Sequence, residues 1–178
     1  MPVLRQALES DVKELSDLVC NSFVTLASAD WSSAATEKLV ADSSPEAMLT
    51  ALKGSHFSKV ALSNNQIVGM VLFSKPNVMK MLFVSPDMTR RGFGRLLWES
   101  ARESVEKSEP TVSTIELNST TFAIPFYKSI GFIPVSTKFE IEGAVMTRMA
   151  CWLRAKDYDA EIYKSDNKRR QSDAHART

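Results

Sequence analysis

Residues that suit the binding of an anion stand together within the segment Met81–Leu97, where an apolar run leads through a loop into helical spacing. The loop and the first turn of the predicted helix contain three arginines and two glycines: Arg90, Arg91, Arg95, Gly92 and Gly94. The first turn of a helix exposes backbone N–H groups without intrahelical partners, and the helix dipole makes that end positive. Arginines are disfavoured there unless an anion is bound. Because glycine has no Cβ, a phosphate can approach the backbone closely.

Two familiar phosphate-binding motifs do not fit this segment. It has no Gly-Lys-Ser/Thr sequence, so it is not a P-loop. It also lacks the third glycine of the dinucleotide fingerprint and the acidic residue expected about 20 positions later at a strand end. The segment therefore predicts an anion site of another type, and a loop with solvated arginines is the alternative interpretation.

The elements that must position this segment follow from apolar spacing and turn residues. Strands are predicted at residues 2–7, Phe57–Leu62, Ile67–Phe73, Met79–Val84, Val112–Leu117, Phe132–Ile141 and Val145–Leu153. Helices are predicted from Asp11 to about Ala29, at Glu46–Lys53, from Gly92 to just before Pro110, and at Thr121–Ile130. Asp11 and Glu14 form a capping-box pattern, and Asn64 and Asn65 suit a tight hairpin turn. This order predicts an α/β (α+β) fold in which helices cover a mixed sheet.

The composition narrows the class of protein. The 178 residues carry a net charge of +1, which gives no reason to expect a nucleic acid or an anionic membrane as the main partner. No apolar run approaches the roughly 20 residues of a membrane span, and the N-terminus shows no secretory signal, so we expect a cytoplasmic protein. Cys20 and Cys151 have no Cys or His neighbours at ligand spacing, which predicts no structural metal site.

One domain over residues 1–155 is expected, followed by a polar tail over residues 156–178 that contains the basic run Lys168–Arg170.

Three segments resemble the GNAT acetyltransferase superfamily. The run Thr89-Arg90-Arg91-Gly92-Phe93-Gly94 is similar to motif A, Q/R-x-x-G-x-G/A, with Thr89 where Gln or Arg is usual. The segment Leu117–Phe132 resembles motif B, and Glu140–Met149 resembles the closing hairpin of the superfamily. The resemblance covers everything except the tail. It implies a mixed, mostly antiparallel central sheet flanked by helices.

The resemblance also implies a co-substrate, acetyl-CoA, and no metal. The amides around residues 90–95, including that of Phe93, would hold the CoA pyrophosphate. The backbone of Phe83 and Val84 would pair with the pantetheine arm like an added strand, and one N–H there would polarise the thioester carbonyl. Asn118 stands where members of the superfamily often contact the same arm.

The catalytic groups implied are a general acid and a general base. Tyr127 would protonate the departing thiolate, and the alternative for it is a core tyrosine packed beside Phe126. Glu116 shares a strand face with Asn118 by period-2 alternation and could take the proton of the amine. Asp30, Glu37 or a water chain are the alternatives for this base.

The acceptor cannot be read from the sequence. In the superfamily it contacts the variable segment between the first helix and the hairpin, here about Ala29–Ser55. A small-molecule amine and a peptide or protein amine both stay open, as does a homodimer, and Asp30, Glu37 and Asp42 give a mild preference for a cationic acceptor. The expected function is acetyl transfer to a primary amine by direct attack in a ternary complex. The alternative is a non-catalytic acyl-CoA-binding regulatory module.

Overall fold

A computed structural model describes residues 3–154 of the chain, and these residues form one sheet with helices on both faces. The described strands are β1 (Val3–Gln6), β2 (Phe57–Ser63), β3 (Gln66–Lys75), β4 (Val78–Val84), β5 (Thr114–Ser119), β6 (Ile133–Pro134), β7 (Phe139–Ile141) and β8 (Ala144–Trp152). The described α-helices are α1 (Val12–Leu26), α2 (Ser33–Ala41), α3 (Pro45–Lys53), α4 (Phe93–Ser108) and α5 (Ile124–Ser129). Short 3-10 turns precede α1, α4 and α5.

The strands lie in the order β1-β2-β3-β4-β5-β8-β6, and β7 pairs with β8. Every pair is antiparallel except β4 and β5, which run parallel. Helix α4 supplies the crossover between these two, as a parallel connection requires. The mixed sheet covered by helices that the sequence predicts, and the mostly antiparallel pairing that the family resemblance implies, are therefore confirmed.

Two apolar clusters hold the helices on opposite faces of the sheet. Helix α4 packs on one face, where its buried residues meet those of β5 and β8: Leu97, Trp98, Ala101, Val105, Ile115, Leu117 and Met149. Helices α1 and α3 cover the other face over β2 and β3, with Leu15, Val19, Met48, Val60, Met70 and Leu72 at the centre. The position of a side chain relative to these clusters therefore tells which face it occupies.

The hairpin between β2 and β3 forms where the two asparagines predict it. Asn64 and Asn65 have φ of 49° and 63°, the left-handed conformation that a two-residue turn of this kind needs at both central positions. Asn tolerates this conformation better than most residues, which is why the turn could be predicted from sequence.

The capping box predicted for Asp11 and Glu14 does not form. The carboxylate of Asp11 instead pairs with the guanidinium of Arg5 in β1, at 2.6 Å and 2.9 Å, and accepts the N–H of Leu8 at 2.8 Å. The carboxylate of Glu14 accepts the N–H of Ile67 at 2.8 Å. Both groups therefore join α1 to the sheet and do not cap the helix.

Two further elements differ from the prediction. Helix α2 occupies residues for which the sequence predicts no helix or strand, and Ser32 begins it by accepting the N–H of Ala35 at 3.1 Å. Its small residues give little apolar periodicity, so the sequence carried no clear helical signal. The strand predicted at Phe132–Ile141 is divided into β6 and β7. The N–H of Val135 still donates to the Arg148 carbonyl of β8 at 2.9 Å, but the N–H of Arg148 then donates to the Ser136 hydroxyl at 2.9 Å in place of a backbone carbonyl.

Among residues 3–154, no helix is both long and apolar enough to cross a membrane. No group of three or more His, Cys, Asp or Glu side chains in that range is arranged to hold a metal ion. The polar tail predicted at residues 156–178 lies outside the described residues.

Replacing Asp11 with asparagine should lower the free energy of unfolding at pH 7 by about 1–3 kcal/mol, because a partly buried charged pair is lost. The hydrogen bonds from Arg5 hold the pKa of Asp11 below its usual value. A depressed pKa contributes stability above the unfolded-state pKa of about 3.9, and this stability is lost as the pH falls through the folded-state value. Denaturant unfolding at pH 7 and pH 3 should therefore show the difference between wild type and Asp11→Asn shrinking at pH 3.

The matched control is Asp42→Asn, which removes an exposed carboxylate that pairs with Lys38 one helical turn away. It should change stability little at either pH. An Asp11→Asn protein as stable as the control at pH 7 would contradict a stabilising role for this pair.

Candidate active site

The parallel strands β4 and β5 meet at one end only. Val78 and Glu116 are their sole ladder pair in the described residues, and the N–H of Glu116 donates to the carbonyl of Asn77 at 2.8 Å. Lys80 forms a bulge in β4, since Met79 and Met81 pair with consecutive residues of β3 while Lys80 has no partner there. Beyond this point each strand has an edge that the other does not pair, and a cleft lies between the two edges.

The unpaired edge of β4 exposes backbone groups of Leu82 and Val84. Ser85 donates to Val68 at 2.9 Å in the β3–β4 ladder, and hydrogen-bonded positions alternate along an antiparallel pair. The N–H and C=O of Phe83 therefore point to β3, whereas those of Leu82 and Val84 point into the cleft. The hydroxyl of Ser22 in α1 already donates to the Val84 carbonyl at 3.1 Å, which leaves the two N–H groups for a ligand.

The same alternation places Asn118 on the facing edge of β5. Leu153 donates to Ser113 at 2.9 Å, so the N–H and C=O of Asn118 point away from β8 and toward the cleft. Ile115 and Leu117 are buried against α4, and the side chains of Glu116 and Asn118 therefore lie on the opposite face. The shared face that the sequence predicts for these two residues is confirmed.

The loop after β4 ends in a cradle of backbone amides. Arg90 and Gly92 have φ of 60° and 91°, and the first intrahelical bond of α4 runs from the N–H of Leu96 to the carbonyl of Gly92. The six N–H groups of residues 90–95 donate to no acceptor within the described residues. Consecutive unpartnered amides at a helix N-terminus form an anion-binding concavity. Phe93, the first residue of α4, belongs to this cradle and lines a depression of about 270 Å³ beside it.

The two glycines of the cradle are required for different physical reasons. A Cβ on Gly92 would meet no atom within 4 Å, so this glycine serves the positive φ and faces open space. A Cβ on Gly94 would come within 3.0 Å of the Phe126 ring. Gly94 therefore permits close packing of α5 on α4, and its absent side chain does not point to the space in front of the amides.

The arginines of the loop also differ in their surroundings. Arg90 and Arg91 are exposed, and neither forms an ion pair with any residue from 3 to 154. Arg95 donates to the carbonyl of Ser129 at the end of α5, at 3.2 Å. Thr89 closes the preceding 3-10 turn by donating from its hydroxyl to the Pro86 carbonyl at 2.9 Å. Two guanidinium groups are thus free to reach an anion at the cradle.

Tyr127 lies in α5 with its ring buried on the α4 side of the sheet. Its ring packs edge to face with Phe126 and Phe132, at centroid distances of 5.4 Å and 5.6 Å. The hydroxyl makes no hydrogen bond with the residues that the structure describes. Burial raises the pKa of the phenol above its usual value, so the group stays protonated at neutral pH. The phenol is therefore a protonated donor whose hydroxyl has no acceptor among the described residues.

Glu116 is the carboxylate on the open face of β5. It is half-buried, and its side chain makes no hydrogen bond or ion pair within residues 3–154. Asp30, an alternative base, accepts a hydrogen bond from Thr121 and lies 3.6 Å from the ammonium of Lys138. Glu37, the other alternative, is exposed on α2. Glu116 is thus half-buried and unpartnered, whereas each alternative is either engaged or exposed.

The loop between α1 and α2 contacts β8 and the turn before it, beside the open face of β5. The indole N–H of Trp31 donates to the Val145 carbonyl at 2.9 Å, and the N–H of Ser32 donates to the Gly143 carbonyl at 2.9 Å. Trp31 also packs edge to face on Phe23, with 4.6 Å between ring centroids. Sequence reasoning missed the two hydrogen bonds because they join residues more than 110 positions apart.

Comparison with known proteins places this architecture in a family. The chain resembles solved structures of a GCN5-related N-acetyltransferase from Rhodopseudomonas palustris (TM-score 0.76, 20% identity, 85% of this chain and 96% of that chain). It also resembles the PaiA N-acetyltransferase from Thermoplasma acidophilum, solved in complex with coenzyme A (TM-score 0.70, 15% identity, 85% and 99%). An aminoglycoside 6'-acetyltransferase type Ii is a further neighbour (TM-score 0.64, 15% identity, 85% and 97%). Because these sequence identities are 20% or lower, the similarity to the solved structures shows a shared fold.

A search of curated protein sequences finds no match to the chain. The sequence family described as "Acetyltransferase (GNAT) domain" matches residues 27–153, which is more than half of the chain and includes the amide cradle, both cleft edges and Tyr127. The chain therefore belongs to the GNAT family of acetyltransferases.

Proposed function

We propose that this protein is an N-acetyltransferase that transfers the acetyl group of acetyl-CoA to a primary amine by direct attack in a ternary complex. The observation that carries the proposal is the continuity of two features. The six unpartnered amides of residues 90–95 follow the unpaired edge of β4 after the short loop 85–89, and the N–H groups of Leu82 and Val84 on that edge point into the cleft. An anionic group joined to an extended arm is the ligand that such a surface fits.

The pyrophosphate would lie at the amide cradle. The amides of residues 90–95 would donate to its oxygens, and the exposed guanidinium groups of Arg90 and Arg91 would add charge-assisted contacts. Arg95 would act from the same turn of α4 while also contacting the carbonyl of Ser129. Gly92 would allow the turn its positive φ and leave the space in front of the amides open.

The pantetheine arm would occupy the cleft as an added strand. Its amide groups would pair with Leu82 and Val84 on one edge and with Asn118 on the other. The contact first assigned to the backbone of Phe83 passes to Leu82, because the N–H and C=O of Phe83 point to β3. An N–H of β4 near the bulge at Lys80 would polarise the thioester carbonyl.

Tyr127 would be the general acid and Glu116 the general base. Acetyl-CoA supplies an acetyl group activated as a thioester. The amine nitrogen forms a bond to the acetyl carbon while the C–S bond breaks, and Tyr127 would give its proton to the departing thiolate. Glu116, on the face from which the acceptor would approach, would take the proton that the amine loses.

The proposal is tested by incubating the purified protein with acetyl-CoA and a panel of primary amines, followed by mass spectrometry. We expect one or more amines to gain the mass of a single acetyl group, with release of one CoA per product. A Gly92→Asp protein, in which the cradle is blocked, serves as the control for background acetylation.

A regulatory acyl-CoA-binding module predicts a different result. Such a protein would bind acetyl-CoA in calorimetry and would acetylate no amine above the rate of the control. That outcome would refute the enzymatic function, and only the assignment of acetyl-CoA as a ligand would remain.

A further inference from the structure

An arginine lies on the sheet face that Glu116 and Asn118 share. Arg148 of β8 is the direct register partner of Asn118 in β5, so both side chains stand on the same face. Directly opposed residues have Cβ atoms about 4.5–5.5 Å apart, and the diagonal neighbours Arg148 and Glu116 are about 7–8 Å apart. A basic and an acidic side chain thus flank one amide side chain on the open face beside the cleft.

Neither charge of this set is neutralised by the described residues. Arg148 is exposed, and its guanidinium makes no hydrogen bond or ion pair within residues 3–154; the same holds for the half-buried carboxylate of Glu116. They do not pair with each other although long side chains reach across such a diagonal. Two opposite charges held apart on one face match a ligand that carries both charges.

Of the three acidic residues that favour a cationic acceptor in the sequence, two are paired with lysines and the third, Glu37, is exposed on α2. Asp30 lies 3.6 Å from the ammonium of Lys138, and Asp42 lies 2.8 Å from that of Lys38. Glu116 and Arg148 thus present one acidic and one basic group, neither in an ion pair among the described residues, on the face beside the cleft edge of β5.

We infer that the acceptor is an amino acid or a similar amine with a carboxylate close to its nitrogen, and that Arg148 binds this carboxylate. A guanidinium offers two parallel N–H groups that match a carboxylate. With the carboxylate held there, the amine is directed toward Glu116 and the cleft edge at Asn118. This inference rests on the proposed function and narrows its substrate class.

The test compares standard L-amino acids with their carboxamides as acceptors. An amino acid and its carboxamide differ in the fraction of neutral amine, so their activities are not compared directly. The deciding quantity is the decrease in kcat/KM that a variant causes for each substrate relative to the wild type. Arg148→Gln should lower kcat/KM about 10-fold for the acids and change it little for the amides, because only the acids offer the carboxylate. Arg148→Lys should restore part of the loss, since it keeps the charge without the planar pair of donors.

The matched control is Arg102→Gln, which removes the same charge from the α4 side of the sheet, where Arg102 pairs with Glu106. It should leave the ratio of acid to amide activity unchanged. Thermal melts of both variants check that the fold is retained.

Calorimetric titration of the amino acids in the presence of CoA gives a readout that does not need turnover. Amino-acid binding that is weaker in Arg148→Gln than in the wild type supports the inference even if no amine is acetylated. The absence of acetylation would refute the proposed function but not the inference. Acetylation of polyamines but of no amino acid would overturn the inference and leave the function standing. Equal losses on acids and amides, or amino-acid binding that Arg148→Gln does not weaken, would also overturn it.

Discussion

Tyr127→Phe is expected to lower kcat by about 100- to 10,000-fold, the range that general acid catalysis typically contributes. The substitution removes only the hydroxyl, and the ring keeps its packing between Phe126 and Phe132. The KM for acetyl-CoA should stay nearly constant, because the proton is given mainly in the transition state. Steady-state kinetics with an acceptor for which chemistry limits turnover is the measurement.

A packing role for Tyr127 predicts a different pattern. The hydroxyl has no hydrogen-bond partner within residues 3–154, so its removal should leave the melting temperature close to that of the wild type. A purely structural tyrosine would then show neither a stability loss nor a rate loss. Wild-type kcat in the Tyr127→Phe enzyme would remove this residue from the mechanism.

Two further measurements sharpen the assignment. The rate loss should shrink with an acetyl thioester whose thiol has a lower pKa, because that thiolate needs less protonation as it leaves. Because burial raises the pKa of Tyr127, no loss of activity through ionisation of its phenol is expected near neutral pH.

The sequence predicts well those parts of the fold in which a pattern of neighbouring residues determines the local structure. The asparagines at positions 64 and 65 fix a hairpin, and apolar spacing after Gly92 fixes α4, because turn conformation and helix amphipathicity depend on neighbours along the chain. Asp11 and Glu14 show the opposite case. Their spacing suits a cap, but Arg5 and the N–H of Ile67 compete for the carboxylates once the sheet forms.

The candidate site divides in the same way. The amide cradle follows from glycines and arginines within six residues, so the sequence could predict it. Which backbone groups face the cleft depends on strand register, and the register moves the proposed pantetheine contact from Phe83 to Leu82. Arg148 carries no local signal at all, because its place beside Asn118 exists only through the pairing of β5 with β8.

Gly94 shows that a correct motif can have an unexpected physical reason. Its missing Cβ leaves room for the Phe126 ring, so a Gly94→Asp protein would report on the packing of α5 against α4. A test of the anion site has to use the other glycine.

Gly92→Asp should weaken acetyl-CoA binding by at least about 100-fold, because a carboxylate placed beside the cradle competes for its amides and repels the pyrophosphate. The new side chain has space, since a Cβ on Gly92 meets nothing within 4 Å. Its backbone is strained at φ of 91°, and Gly92→Asn carries the same strain without the charge. Calorimetry should therefore show a much smaller loss for asparagine, with circular dichroism confirming that both proteins are folded. Equal losses in the two variants would assign the effect to shape alone, and unchanged affinity in folded Gly92→Asp would move the anion site away from residues 90–95.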